Sequence, residues 1–370
     1  MSKRGENNNR RKDGRNGRFK YDRRNNEMKI FLTSFLGFKK SFFYEILENW
    51  LKNCQGCVKA STYENYYYSM QKYILPYFRK YKVEMITESH VKEFILFICN
   101  NISISQSYRK KILQIFKTAL KEILDDNENA ANIINALRFP RVIQTVKPVE
   151  IFSVYEQRRI ENMLLMNKGN KDIGLLICFY TGIRLGELCA LSWNNIDFES
   201  KTLTICKTLI RTKNFEAEGP KTKLSLCPPK SKSSVRKIPL PDFLYNILHD
   251  RLLQVKSLDD YMLSNSSIPV DPRTIQRYYE RLLSSAGVSH RKFHAIRHTF
   301  ATRALEIGID IKTVSEILGH SGITATLNTY AHSLLEQKRL AISKMNIFHT
   351  SKMSNLSEPS PVQAVNPCRQ

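Results

Sequence analysis

The segment RFPRVIQTVKPVE, residues 138–150, carries two prolines and no helical period. Such a stretch neither continues a helix nor sits inside a sheet, so the chain on each side must bury a core of its own. With 370 residues and 42% apolar side chains, there is material for two domains. The expected organisation is a basic amino-terminal arm (1–40), a helical domain (41–138), a linker (139–150), a second domain (151–346) and a disordered Ser/Pro-rich tail (347–370).

The first domain reads as helices with one basic face. Phe43, Ile46, Leu47, Trp50 and Leu51 fall at i, i+3, i+4, i+7 and i+8, a single apolar stripe. Ser61 and Glu64 are spaced as a capping box opening a tyrosine-rich helix that should stop before Pro76. Thr87 is placed to cap a third helix through Val91, Phe94, Ile95 and Ile98. A fourth, Tyr108 to Ile123, alternates lysines and arginines with apolar positions.

Charge narrows the partner. Lysine and arginine number 58 against 34 acidic residues, a formal net charge of +24. Self-repulsion of that size calls for a polyanion, with nucleic acid ahead of a membrane surface. Residues 1–40 alone hold 13 Lys/Arg and 4 Asp/Glu. Whether that arm is disordered or forms a small strand pair, it can lie along phosphates with salt-sensitive affinity. No run of 18 apolar residues is present and MSKRGENNNRRKDGRNGRFK lacks the apolar stretch of a signal peptide, so a cytoplasmic protein without membrane attachment is expected. The eight cysteines fit reduced thiols, and Cys54/Cys57 form a C-x-x-C without a second pair, which reads as packing.

In the second domain Ser153 and Glu156 form a capping box. Residues 172–193 look like two buried helices broken at TGIR. The runs KTLTICKTLI (201–210), KLSLC (223–227) and VRKIPL (235–240) look like strands, and helix resumes until about 346. The fold class is therefore mainly α with a small antiparallel β-sheet.

Four segments carry chemistry. In YTGIRLGEL, Gly182 allows a tight break, and Arg184 opens the next helix with Glu187 one turn on. That arginine can present its fork to a phosphate while Glu187 holds it, and the apolar flanks argue against a mere surface ion pair. In PPKSKSSVRKIPL, Lys230 or Lys232 on a mobile tip can donate a proton to a leaving oxygen, or simply be solvated. In HAIRHTFATR, His294 and Arg297 share a helical face, His298 sits beside them, and Ile296, Phe300 and Ala304 mark the opposite, core-facing stripe. An arginine beside the histidines repels cations and attracts phosphate, so a metal site is not expected. In LGHSGITATLNTYAH, His320 follows Gly319 and Tyr330 lies ten residues further on.

Together, Arg184 in TGIRLGE, a hairpin lysine, His294-x-x-Arg297, His320 in LGH and Tyr330 in NTYAH resemble the tyrosine recombinases, particularly phage-type integrases. The match covers about residues 150–345 with all motifs in order, and the first domain resembles the family's helical SAM-like core-binding domain in pattern only. The resemblance implies a C-shaped clamp on double-stranded DNA and a mixed α/β catalytic domain. It makes Tyr330 the nucleophile that forms a 3′-phosphotyrosyl link, with Arg184, Arg297, His294 and His320 around the phosphate. Lys230, favoured over Lys232 by the spacing to Arg236, Ile238 and Pro239, is the proton donor; Glu187 supports Arg184, and His298 is structural. No cofactor, metal or ATP is implied.

A homotetramer assembled on attachment-site DNA, an excisionase or host DNA-bending protein as partner, and a nucleoid-associated location follow by the same resemblance. Leu334, Leu335, Leu340 and Ile342 would dock the last helix on a neighbouring protomer. Competing readings are a Xer-like resolvase, a type IB topoisomerase-like enzyme and an inactive sequence-specific DNA-binding protein.

Overall fold

The computed structural model describes residues 42–123, 149–216, 219–229, 232–320, 322–324, 326–327, 339 and 342–343. The chain divides into two compact units between Ile143 and Gln144. The 1–40 arm, most of the 139–150 linker and the 347–370 tail lie outside the described residues.

The first unit is helical: α1 (Phe43–Cys54), α2 (Ala60–Ser69), α3 (Leu75–Phe78), α4 (Glu88–Asn100) and α5 (Gln106–Ile123). The α1 stripe Phe43, Ile46, Leu47, Trp50 and Leu51 is buried as its spacing requires. Phe78 is fully buried, its ring 5.2 Å from Phe43, 5.1 Å from Phe94 and 5.0 Å from Phe116. The indole N–H of Trp50 donates to Glu122 at 2.6 Å and ties α1 to α5. Cys54 closes α1 as a buried thiol whose pKa is pushed up to about 12 by burial, then by Glu122 and Cys57; it packs and is not poised as a thiolate.

Two sequence expectations fail here. The Ser61/Glu64 box does not open α2, because Lys59 is extended and its carbonyl already accepts from Thr62 and Tyr63 at 2.8 and 3.0 Å. Nor does the helix stop before Pro76. A five-residue π turn, Met70–Ile74, intervenes, and Pro76 falls in the first turn of α3. The wider turn absorbs the proline ring and its missing N–H, which would break a regular helix.

The second unit begins with α6 (Val154–Asn167), where Ser153 N–H donates to Glu156 at 2.8 Å and Glu156 N–H donates to Ser153 Oγ at 3.1 Å. Then come α7 (Asn170–Thr181), buried on nearly every face, and α8 (Leu185–Cys189). The run 201–210 is two strands broken at Cys206–Lys207. Strands β1 (Ile196–Asp197), β2 (Thr202–Ile205) and β5 (Arg236–Pro239) form one antiparallel sheet, with Leu203 opposite Ile238. Strands β3 (Thr208–Lys213) and β4 (Thr222–Cys227) form a separate hairpin between β2 and β5. Gly186 lets α8 approach that hairpin, since a Cβ there would lie 2.7 Å from the Leu209 carbonyl.

The chain finishes with α9 (Asp242–Leu252), α10 (Pro272–Ser285), α11 (His294–Glu306) and α12 (Ile311–Leu318). The expected two-faced α11 is corrected. Ala295, Ile296, Arg297, Thr299, Ala301, Thr302, Ala304 and Leu305 are all buried, so the helix is enclosed almost all round. It packs against α7 and α12. Small residues and an internally satisfied threonine permit this. Thr299 donates to the Ala295 carbonyl at 2.8 Å and accepts from Phe152 N–H at 2.9 Å. Among the described residues, no helix is long and apolar enough to cross a membrane.

Truncating Phe78 to alanine should cost about 3–5 kcal/mol, because it leaves a cavity at the meeting point of three other rings. Urea unfolding followed by circular dichroism measures it, and a loss under ~1 kcal/mol would contradict this picture of the core.

Candidate active site

Arg297 lies one turn into α11 and is 2% exposed. Its NH1 donates to the Gly182 carbonyl at 2.9 Å and NH2 to the Leu318 carbonyl at 2.7 Å. Gly182 caps α7 and Leu318 ends α12, so both acceptors sit at helix carboxyl ends, where the backbone dipoles place negative potential. Gly182 is left-handed at φ 64°, and a Cβ there would lie 2.5 Å from the Phe300 ring. That glycine therefore sets both the turn and the carbonyl that holds Arg297.

Arg184 is the residue preceding α8. Its backbone N–H donates to Glu187 Oε2 at 2.9 Å and its NH1 to Glu187 Oε1 at 2.8 Å. The carboxylate is 4% exposed whereas the arginine side chain is 38% exposed. Burial works to raise the Glu187 carboxyl, but Arg236, together with the Arg184 N–H and guanidinium, outweighs it and holds the pKa below the usual carboxylate range.

His294 and His320 stand close enough to these arginines to feel them. His294 is the exposed member, its ring edge-on to His298 at 4.6 Å. Desolvation against the helix floor, then His298, Arg297 and Arg184, lower its pKa to about 4. His320 is half-buried after the left-handed Gly319, and its Nδ1 lies 2.7 Å from Thr326 Oγ1. Burial, followed by Arg297, Arg184, His294 and Arg236, lowers its pKa to about 4 as well. Both rings are thus neutral near pH 7.

Four of the sequence-selected side chains, Arg184, His294, Arg297 and His320, therefore come together. Tyr330 and Lys230 lie outside the described residues, as do Leu334, Leu335 and Leu340. Lys232 is described only by its backbone, in a single 3₁₀ turn (Lys232–Ser234). Sequence reasoning used Arg236 only as a spacing marker and overlooked Thr326, whose buried hydroxyl meets His320. It also passed over Arg273, Arg277 and Arg281, which recur every four residues along the exposed side of α10.

The inventory suits an anion. Two guanidinium groups and two neutral imidazoles lie within electrostatic reach of one another, and the nearby carboxylate, Glu187, is already engaged by arginines. Among the described residues, no group of three or more His, Cys, Asp or Glu could hold a metal ion. Such donors match the nonbridging oxygens of a phosphodiester.

Comparison with known proteins agrees with this chemistry. The Phage integrase family matches residues 156–337, and the phage integrase N-terminal SAM-like domain matches residues 42–98. The chain belongs to the phage integrase family of tyrosine recombinases, whose members cleave and rejoin DNA. A tyrosine recombinase XerC-like protein of Caldanaerobacter subterraneus is 36% identical over 217 residues, covering 54% of this chain and 54% of that protein. The ICEBs1 integrase of Bacillus subtilis is 22% identical, with 82% of each chain covered. The chain thus spans about half of the first relative and most of the second. In three dimensions it is similar to the Tn1549 transposon integrase solved in complex with transposon right end DNA. The TM-score is 0.63 at 21% identity, over 81% of this chain and 99% of that one. The shared architecture is a helical SAM-like domain followed by a mixed α/β domain.

The low histidine pKa values have a consequence for stability. As pH falls from 6.5 towards about 4, the unfolded chain takes up the His320 proton before the folded chain does, so stability is lost across that window. Replacing His320 with asparagine should flatten the decline of Tm between those pH values, measured by scanning calorimetry. An undiminished slope would count against a depressed His320.

Proposed function

We propose that this chain is a site-specific DNA recombinase of the integrase type, cutting and rejoining DNA for a mobile element. The observation that carries the reading is the cluster in which Arg184, Arg297, His294 and His320 lie within electrostatic reach of one another, while the Glu187 carboxylate is held by Arg184 and Arg236. In this reading the Tyr330 hydroxyl attacks the scissile phosphorus and the P–O5′ bond breaks. The 3′-phosphate stays on the tyrosine, and the 5′-oxygen leaves as a hydroxyl with a proton from Lys230 or Lys232. Phosphodiester bond energy is retained in the phosphotyrosyl link, so rejoining needs no ATP.

Each remaining side chain has a task. Arg184 and Arg297 counter the charge that grows on the nonbridging oxygens. His320 donates through Nε2 while Thr326 holds Nδ1; His294, neutral at pH 7, can also accept the tyrosine proton. Arg273, Arg277 and Arg281, exposed on α10, are assigned to the DNA backbone for their charge and accessibility. Double-stranded attachment-site DNA is the substrate, a homotetramer on DNA the working assembly, and an excisionase or host DNA-bending protein the accessory. Such an enzyme works at the nucleoid.

The likeness to a XerC-like protein keeps a resolvase role as the second reading. Recombination between sites on one plasmid, with no joining of separate molecules, would favour it. The chemistry itself is tested on a nicked suicide duplex. Wild type should form a covalent protein–DNA adduct, Tyr330→Phe none, and Arg297→Lys should slow adduct formation by roughly 10²–10³-fold. An adduct formed by the phenylalanine variant would remove Tyr330 as nucleophile.

A further inference from the structure

Arg236 opens β5, just after the loop that bears Lys230 and Lys232, and the chemistry above gives it no contact with DNA. Only 9% of it is exposed, yet every nitrogen of its guanidinium is engaged. Its Nε donates to the Ile317 carbonyl and NH1 to the Ser234 carbonyl at 3.1 Å. NH1 and NH2 also reach Glu187 Oε1 and Oε2 at 3.3 and 3.0 Å. One side chain therefore fastens α8 behind Arg184, the end of the lysine loop, and the last turn before His320. Gly319 makes room for it, since a Cβ there would stand 3.0 Å from NH1 and 3.1 Å from Cδ.

The carboxylate beneath these arginines carries one charge and serves two guanidinium groups. Arg236 takes both of its oxygens as a fork, while the Arg184 side chain reaches only Oε1. Fork-to-fork pairing is the strongest arrangement open to a carboxylate, and an unpaired buried carboxylate is costly. Without Arg236, Glu187 would draw Arg184 into that fork, cancelling its charge and turning it inward.

We propose that Arg236 is a positioning residue: by occupying the Glu187 carboxylate it keeps the Arg184 guanidinium turned outward, with its charge available to the scissile phosphate. The proposal rests on the reading of Arg184 as a phosphate ligand. It predicts that loss of Arg236 is repaired by also removing the charge of Glu187, which a purely structural Arg236 would not show in the rate per folded molecule.

The experiment uses the full chain and four variants: Arg236→Met, Arg236→Met with Glu187→Gln, Arg236→Gln and Arg236→Lys. Single-turnover adduct formation on the suicide duplex should fall on the order of 10²-fold in Arg236→Met, the loss of about one oriented donor. Affinity for the same duplex should change less than about tenfold, because Arg184 is one phosphate contact among many. The double variant should recover at least about tenfold in rate. Phenylglyoxal labelling of Arg184, read by mass spectrometry, should slow severalfold in Arg236→Met and return in the double variant.

Adduct formation within threefold of wild type in Arg236→Met, or a double variant no faster than the single one, would overturn the proposal. If the methionine variant does not fold, Arg236→Lys, which keeps a charge for Glu187, should outpace Arg236→Gln by roughly tenfold, and equal rates would overturn it. A wild type that forms no adduct would fault the recombinase reading instead. The labelling of Arg184 then decides the role of Arg236 by itself, unchanged labelling in Arg236→Met being the refuting result.

Discussion

A guanidinium enters a protein interior only where acceptors replace the water it leaves, and Arg297 is the point at which the second unit meets that demand. NH1 and NH2 find the carbonyls of Gly182 and Leu318, supplied by the carboxyl ends of two different helices. Helix α11 must therefore be enclosed by α7 and α12, and both of those helices must stop where they do. The left-handed glycines 182 and 319 perform the stopping. A cation 2% exposed is the geometric anchor from which the rest of the site is measured.

Around that anchor the charge is unbalanced. Arg184, Arg236 and Arg297 are accompanied by one buried carboxylate, and the two histidines respond by staying neutral. Neutral imidazoles beside three guanidinium groups add no further repulsion among the cations. In the proposed reaction an arriving phosphate would meet donors already oriented, and little reorganisation would be needed. On the proposed reading the sharing of Glu187 has the same logic: an acidic group fully paired with Arg184 would cancel part of the potential offered to a phosphate.

Much of this was written in local sequence. Ser153 and Glu156 announced their cap because capping depends on neighbours three residues apart. The α1 stripe did the same through helical period. The failures have local causes of another kind. Lys59 took the capping place from Ser61 through its backbone alone, and a π turn accommodated Pro76 where a regular helix would have ended. Helix α11 looked two-faced because polar letters read as solvent-facing, although Thr299 and Arg297 are satisfied inside.

The sequence by itself determined the excess of positive charge and the motifs that carry Arg184, His294, Arg297 and His320. Each depends on composition or on spacing within a few residues. Only the tertiary structure decided which arginines are buried and what each one faces. Arg297 meets Gly182 across 115 positions of the chain, and Arg236 meets Glu187 across 49 and Ile317 across 81. In the sequence Arg236 is one more cation in a basic loop. Desolvation and a paired carboxylate, which arise only when distant segments pack, make it part of the site.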